Sequence, residues 1–250
     1  MFKDKTALVI GATSGIGEAT AREFGREGAR VVVAGRRADR GEAVASGIRE
    51  AGGEAIFIRC DAAEEQSIVE LIGAASDRCG RIEFAVNTPA KEMPAGRLAD
   101  KTAADFDEAF AVSVRGIFLA MKYEIQHMLA HGGGAIVNVG STASHSAFPT
   151  AAIYTAAKHA MLGLTKAASL EYIKDGVRIN AVAPGPVVTE MLERFMSSAG
   201  VTAEQAGSST PIGRSGRPEE IAKAIVWMCS PAASYVVGHS LIVDGGSTVA

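Results

Sequence analysis

Residues 6–17 read Thr-Ala-Leu-Val-Ile-Gly-Ala-Thr-Ser-Gly-Ile-Gly, an aliphatic run that breaks on glycine and passes directly into an amphipathic stretch ending near Glu27. The run is strand-sized and the stretch after it is helix-sized, so the segment reads as strand, tight turn, helix. Gly11, Gly15 and Gly17 supply the conformational freedom for the turn. A turn of this kind aims backbone N–H groups and the positive end of a helix dipole at one point, which suits a phosphate. The spacing differs from the Gly-x-Gly-x-x-Gly of many dinucleotide sites, so its place in the unit carries the reading; a connection without ligand is the alternative. The next apolar run, Arg30–Gly35, closes a βαβ unit, which commits the chain to parallel strands.

The alternation then continues. Helices are predicted over 38–51, 64–79, 103–130, a stretch carrying Tyr154 and Lys158 to about 174, and 218–229, and strands over 55–59, 82–87, 135–139, 177–183 and 240–243. No internal repeat or interdomain linker interrupts the pattern, so residues 1–250 are expected to form one domain. In the long helix Phe106, Phe110, Val114, Ile117, Met121 and Ile125 recur at helical spacing, an expected core stripe. Gly132, Gly133 and Gly134 precede a strand and read as a helix stop.

Hydrophobic content of 48% with 21% charged residues is that of a globular protein with a large core. A net charge of −3 without Lys/Arg runs argues against nucleic acid and against a membrane surface as partners. Cys60, Cys79 and Cys229 are widely spaced and odd in number, so reduced buried thiols are expected, with no metal site and a cytoplasmic location. The first residues lack the apolar core of a signal peptide.

Several residues sit where nucleotide chemistry would need them. An NAD site usually ends its second strand in a carboxylate for the ribose 2′-hydroxyl, whereas an NADP site offers arginine to the extra phosphate. Here Gly35 takes the place of the acid and Arg36 and Arg37 follow, favouring NADP over NAD. Asp61 either accepts from the adenine amino group or caps the next helix. Tyr154 and Lys158 are four apart on a helix and share a face, so the ammonium is placed to favour the phenolate and tune an acid/base near neutrality. Ser141 ends the fifth strand, thirteen residues upstream of Tyr154. Ser113 lies on the long helix, where its plain role is a hydroxyl bonded back to the carbonyl four residues earlier. His145 is isolated and reads as a surface or substrate-lining residue. Residues 189–212 mix Met, Phe and Leu with Gly, Ser and Thr, the composition of a flap over an apolar substrate.

Taken together, Gly11-x-x-x-Gly15-Ile16-Gly17, Asp61, Asn87, Ser141, Tyr154-x-x-x-Lys158, Pro184-Gly185, Thr189 and Val243-Asp244-Gly245-Gly246 give a chain that resembles the short-chain dehydrogenase/reductase family over nearly its whole length. The resemblance implies an α/β fold of Rossmann type: a doubly wound, seven-stranded parallel sheet in a three-layer α/β/α arrangement, with cofactor across the strand C-terminal ends. It implies an NADP-dependent oxidoreductase interconverting a secondary alcohol and a ketone. Ser141 would bind the substrate oxygen, Tyr154 would act as general acid/base, and Lys158 would support the phenolate and hold the nicotinamide ribose. Thr13, Ser14 and Ile16 would hold phosphate and ribose. Ala62, Asn87, Pro184 and Gly185 join the cofactor-binding set, with Val187 and Thr189 at the carboxamide. A homotetramer acting on a small-molecule carbonyl or alcohol is implied as well.

Two positions depart from the family pattern. Ser113 stands where the family has an asparagine that completes a proton relay, and Thr88-Pro89-Ala90 stands for Asn-Ala-Gly after the fourth strand. These departures leave two further readings: a nucleotide-binding protein with weak or no redox activity, and lyase or isomerase chemistry in the same cleft.

Overall fold

A computed structural model describes residues 1–250, the side chain of residue 203 apart. The elements run β1 (Thr6–Ile10), α1 (Gly15–Arg26), β2 (Arg30–Gly35), α2 (Ala38–Glu50), β3 (Glu54–Arg59), α3 (Glu65–Cys79), β4 (Ile82–Asn87), α4 (Ala103–Phe110) and α5 (Gly116–Ala130). They continue β5 (Gly134–Val139), α6 (Ala152–Tyr172), β6 (Val177–Pro184), α7 (Glu190–Ser198), α8 (Ala203–Ser208), α9 (Pro218–Cys229) and β7 (Ser240–Val243). All seven strands pair in parallel, in the order β3-β2-β1-β4-β5-β6-β7. The order reverses between β1 and β4, and in such sheets the crevice at that reversal takes the ligand.

Both faces of the sheet are covered, so its strands read as continuous apolar runs instead of alternating ones. Alternate residues of β1 serve opposite layers. Ala7 and Val9 pack with Phe24 of α1, Ile48 of α2 and Ile225 of α9. Leu8 and Ile10 pack with Ile68 and Leu71 of α3 and Leu119 of α5. A third cluster joins Ile117 and Met121 of α5 to Met161 of α6 beneath Ile136 and Ile179.

The predicted helix over 103–130 is not uniform. A π-helical turn, Ala111–Arg115, separates α4 from α5 and turns Ser113 into the interior. Such single π turns recur at functional sites because the extra residue redirects a side chain. Gly116, where α5 begins, is required by a close approach: a Cβ there would lie 2.8 Å from the Ala62 carbonyl oxygen. The expected core stripe holds only below the break. Ile117, Met121 and Ile125 are buried, whereas Phe110 and Val114 are half-buried and Phe106 is 44% exposed. The flap region is more ordered than its composition suggested, since α7 and α8 occupy most of it, each started by a threonine cap, Thr189 and Thr202.

Candidate active site

The cradle for a dinucleotide is built mostly from backbone. Gly15 adopts φ +55, which glycine takes without strain, as the chain enters α1. Ser14 is the N-cap, but its side chain caps nothing, and the first N–H near the start of α1 with a carbonyl partner is that of Glu18, to Ser14 O at 3.2 Å. The donors ahead of it, around Ile16, are thus available to an anionic guest, and the residues fit a dinucleotide's phosphates. Packing also dictates the glycines: a Cβ at Gly17 would lie 2.3 Å from Gly11 O, and one at Gly11 would lie 2.2 Å from Thr88 Oγ1.

At the end of β2, a Cβ on Gly35 would lie 2.6 Å from Thr13 Cγ2, so an acid there would require the Thr13 side chain to move. Arg36 is exposed and forms no ion pair among the described residues. Arg37 is engaged, donating to Thr13 Oγ1 at 2.9 Å and Ser14 Oγ at 2.6 Å. Asp61 does not cap α3, whose N-cap is Glu64; it accepts from Ala63 N–H at 3.1 Å. Ala62 is buried in the apolar layer against α3 and α5.

The floor after β4 keeps its backbone pairing despite Pro89, because the sheet contact ends one residue earlier: Thr88 donates both its N–H and its hydroxyl to Ile10 O, at 3.0 and 2.9 Å. Asn87 ends β4 at the cleft. Its side chain is 0% exposed and turns into the interior, bonding Glu124 and Asn138, which leaves only its backbone for a cofactor. Ser113 likewise does not bond back to its own helix; its Oγ accepts from Lys91 N–H at 2.9 Å and fastens the loop after β4.

Ser141, Tyr154 and Lys158 meet at the C-terminal edge of β5. The Ser141 hydroxyl caps a short 3₁₀ turn, accepting from Ala143 N–H at 3.1 Å, and is close enough to the Tyr154 phenol to oppose the rise in its pKa. Lys158 is 4% exposed; its Nζ donates to Val139 O at 2.8 Å and lies 5.6 Å from the centre of the Tyr154 ring. Burial lowers the lysine pKa to about 8. Tyr154 departs from the expected lowering: loss of solvent raises its pKa, opposed only by the Ser141 hydroxyl. In this state the lysine does not draw the phenol towards phenolate, and Tyr154 stays a neutral phenol. His145 is exposed and bonds Ser240 Oγ at 2.9 Å.

On the far side of the cleft, Val187 is buried, Pro184 ends β6, and a Cβ at Gly185 would lie 2.9 Å from Asp244 Cα. Thr189 caps α7, accepting from Leu192 N–H at 3.2 Å, and its methyl would lie 3.1 Å from a Cβ on Gly15, so the root of the flap touches the glycine turn. Helix α7 turns Met191, Leu192, Phe195 and Met196 partly inward. Ion pairs pin it at both ends of the cleft: Glu190 to Arg40 at 2.6 Å on α2, and Arg194 to Glu92 in the loop after β4. Glu190, Arg40, Lys91 and Glu124 escaped the sequence reading; for Glu124 the available signal was a carboxylate inside an apolar helical stripe.

The chain is similar to known proteins over nearly its whole length. The family model described as Enoyl-(Acyl carrier protein) reductase matches residues 11–248. The chain is 39% identical to an A-factor type gamma-butyrolactone 1'-reductase (1S-forming) of Streptomyces virginiae, over 100% of this chain and 97% of the relative. Levodione reductase superposes with a TM-score of 0.97 at 31% identity, covering 100% of both chains. A 7 alpha-hydroxysteroid dehydrogenase complexed with NADH gives 0.91 at 32% identity, over 98% of this chain and 95% of that one. ElxO with NADP bound gives 0.90 at 30%, over 98% and 99%.

Proposed function

The chain belongs to the short-chain dehydrogenase/reductase family of oxidoreductases, whose members bind NAD or NADP, and we propose that it is an NADP-dependent enzyme interconverting a secondary alcohol and a ketone. The observation that carries this reading is the meeting of Ser141, Tyr154 and Lys158 at the sheet edge, beside the crevice where strand order reverses.

When bound, the nicotinamide supplies hydride to a carbonyl carbon, or takes it from a carbinol carbon. Ser141 Oγ donates a hydrogen bond to the substrate oxygen, which orients the carbonyl. Tyr154, a phenol with a raised pKa, gives its proton to that oxygen in reduction and takes one back in oxidation. Lys158, next to it and still largely charged at neutral pH, stabilises the phenolate left behind. Arg36 is free to meet a 2′-phosphate, and the glycine in place of an acid at Gly35 points the same way. Asp61 and the backbone at Asn87 border the adenosine side; Val187 and Thr189 border the nicotinamide side.

Met93 and Ile153 line a small cavity together with Tyr154, and half-buried Met191, Leu192, Phe195 and Met196 of α7 add apolar surface, which suits a compact apolar substrate. Two of the relatives above name a lactone and a steroid, which favours a cyclic one. An open apolar depression of about 430 Å³ between Phe110, Val114, Phe118 and Leu164 offers a surface on which long helices of two copies would pair in a homotetramer. The test is cofactor oxidation across a panel of cyclic and linear ketones with NADPH and NADH. Turnover preferring NADPH is expected; tight NADPH binding without turnover, or product without net NADPH consumption, would overturn the reading.

A further inference from the structure

Glu124 lies in the middle of α5, 1% exposed, and no cation bears on it. Its Oε2 accepts from Asn87 Nδ2 at 2.9 Å, while its Oε1 has no donor. Asn87 carries a matching deficit: Nδ2 also donates to Asn138 Oδ1 at 3.1 Å, but Oδ1 has no donor. Two buried side chains, already joined by one hydrogen bond, therefore each hold an unsatisfied acceptor. A carboxylate can only accept, whereas a carboxylic acid donates once and accepts as well, which makes it the complement of an amide. One proton on Glu124 would supply the donor that both orphans lack.

We propose that Glu124 is a positioning residue of the active site: as a neutral carboxylic acid it donates to Asn87 Oδ1 while accepting from Asn87 Nδ2, and this pair fixes the end of β4. That the pair serves an active site rests on the oxidoreductase reading above; that Glu124 holds a proton does not. From Asn87 the chain of hydrogen bonds runs on through Asn138, whose Nδ2 donates to Thr165 Oγ1 at 2.9 Å, and Thr165 donates to Met161 O at 3.0 Å. It crosses α5, β4, β5 and α6, the elements whose ends present Ser141, Tyr154 and Lys158 and the floor after Asn87. Thr165 lies two helical turns beyond Lys158 on one face, and Asn138 three residues before Ser141, so the chain sets the register of tyrosine helix against serine strand. A buried polar network holds one arrangement when every member is satisfied and is costly when one is not.

Burial raises the Glu124 pKa from 4.5 to about 7. The titratable groups that bear on it from other elements are the thiols Cys60, after β3, and Cys229, in α9, which burial raises to about 11 and about 12 and so keeps neutral. Asn87, Asn138 and Thr165, from β4, β5 and α6, carry no charge. Because the folded state binds this proton more tightly, the stabilisation is whole below about 4.5 and is lost as pH rises through about 7.

Infrared spectroscopy of the full-length protein at about pH 6, below the pH at which the proton is lost, compares wild type with Glu124→Gln and tests this. A protonated-carboxyl stretch sensitive to deuterium exchange is expected in wild type and absent from the variant. Glutamine offers the same donor and acceptor, so the variant should keep NADPH affinity within about twofold of wild type. Between about pH 6 and about pH 9 the melting temperature of wild type should drop relative to that of the variant. Absence of the band, or melting curves that stay parallel across that range, overturns the proposal. If the variant does not fold, the wild-type band decides alone: it must fade as pH rises through about 7, and its absence at lower pH refutes the assignment.

Discussion

Around β1, β2 and β3 the groups at the cleft are mostly backbone N–H groups, surface arginines and the short side chains Thr13, Ser14 and Asp61, and the layer beneath them is mainly apolar, with Val9, Val31, Val33, Phe24 and Ile48 all buried. Around β4, β5 and β6 the layer beneath the site is threaded with polar side chains: Asn87, Ser113, Glu124, Asn138, Lys158 and Thr165 are all buried. The first half is a cradle in which local backbone geometry does the binding. In the second half the reacting side chains are aimed by long-range polar pairs, each of which costs desolvation. Groups in the second half should therefore trade stability for function, while those in the first should affect binding alone.

Lys158→Met tests that trade most strongly. It should lower kcat/KM about a hundredfold or more, yet leave Tm within about 3 °C, because the wild-type ammonium is held against its own desolvation. A large fall in Tm would make the lysine structural. In the cradle, Arg36→Asp should raise the KM for NADPH about tenfold and admit NADH without moving Tm; unchanged cofactor preference would remove Arg36 from the account. At the far end of β4, His127 accepts from Ile82 N–H at 3.0 Å, and burial, His131 and Arg81 hold its pKa below the usual 6.5. The unfolded chain binds that proton more readily, so the stabilisation is present above about pH 6.5 and lost on acidification. His127→Gln should flatten this acid limb of the stability curve, an effect of about 1 kcal/mol seen in denaturant titrations. The smallest effect is expected at Glu190, whose ion pairs are exposed: Glu190→Gln should change substrate KM about two- to threefold at low salt and not at high salt.

The same contrast explains what could be read in the chain beforehand. Strand runs such as Arg30–Gly35 and Ile82–Asn87, and the sheet they imply, were legible because both faces are buried and glycine breaks punctuate them. The Tyr154 and Lys158 pair was legible because helical spacing fixes which side chains are neighbours. The inward turn of Asn87 and its bond to Glu124, 37 residues on, were not, because no local period encodes a contact between a strand end and a helix three turns past a π break. The raised pKa of Tyr154 has a related reason: spacing tells of the lysine nearby but neither of the burial that raises the phenol nor of the Val139 carbonyl to which the ammonium turns. Phe106 kept a core-like period yet lies exposed, because α4 ends at the π turn and rides out towards the surface.

The claim on which all of this depends is that Tyr154 moves the proton. Single-turnover reduction of a cyclic ketone by NADPH, compared between wild type and Tyr154→Phe with NADPH affinity measured alongside, addresses it most directly. The expected result is a loss of roughly a thousandfold in the rate of turnover, with NADPH affinity within about twofold of wild type. Equal turnover by the two proteins would contradict it.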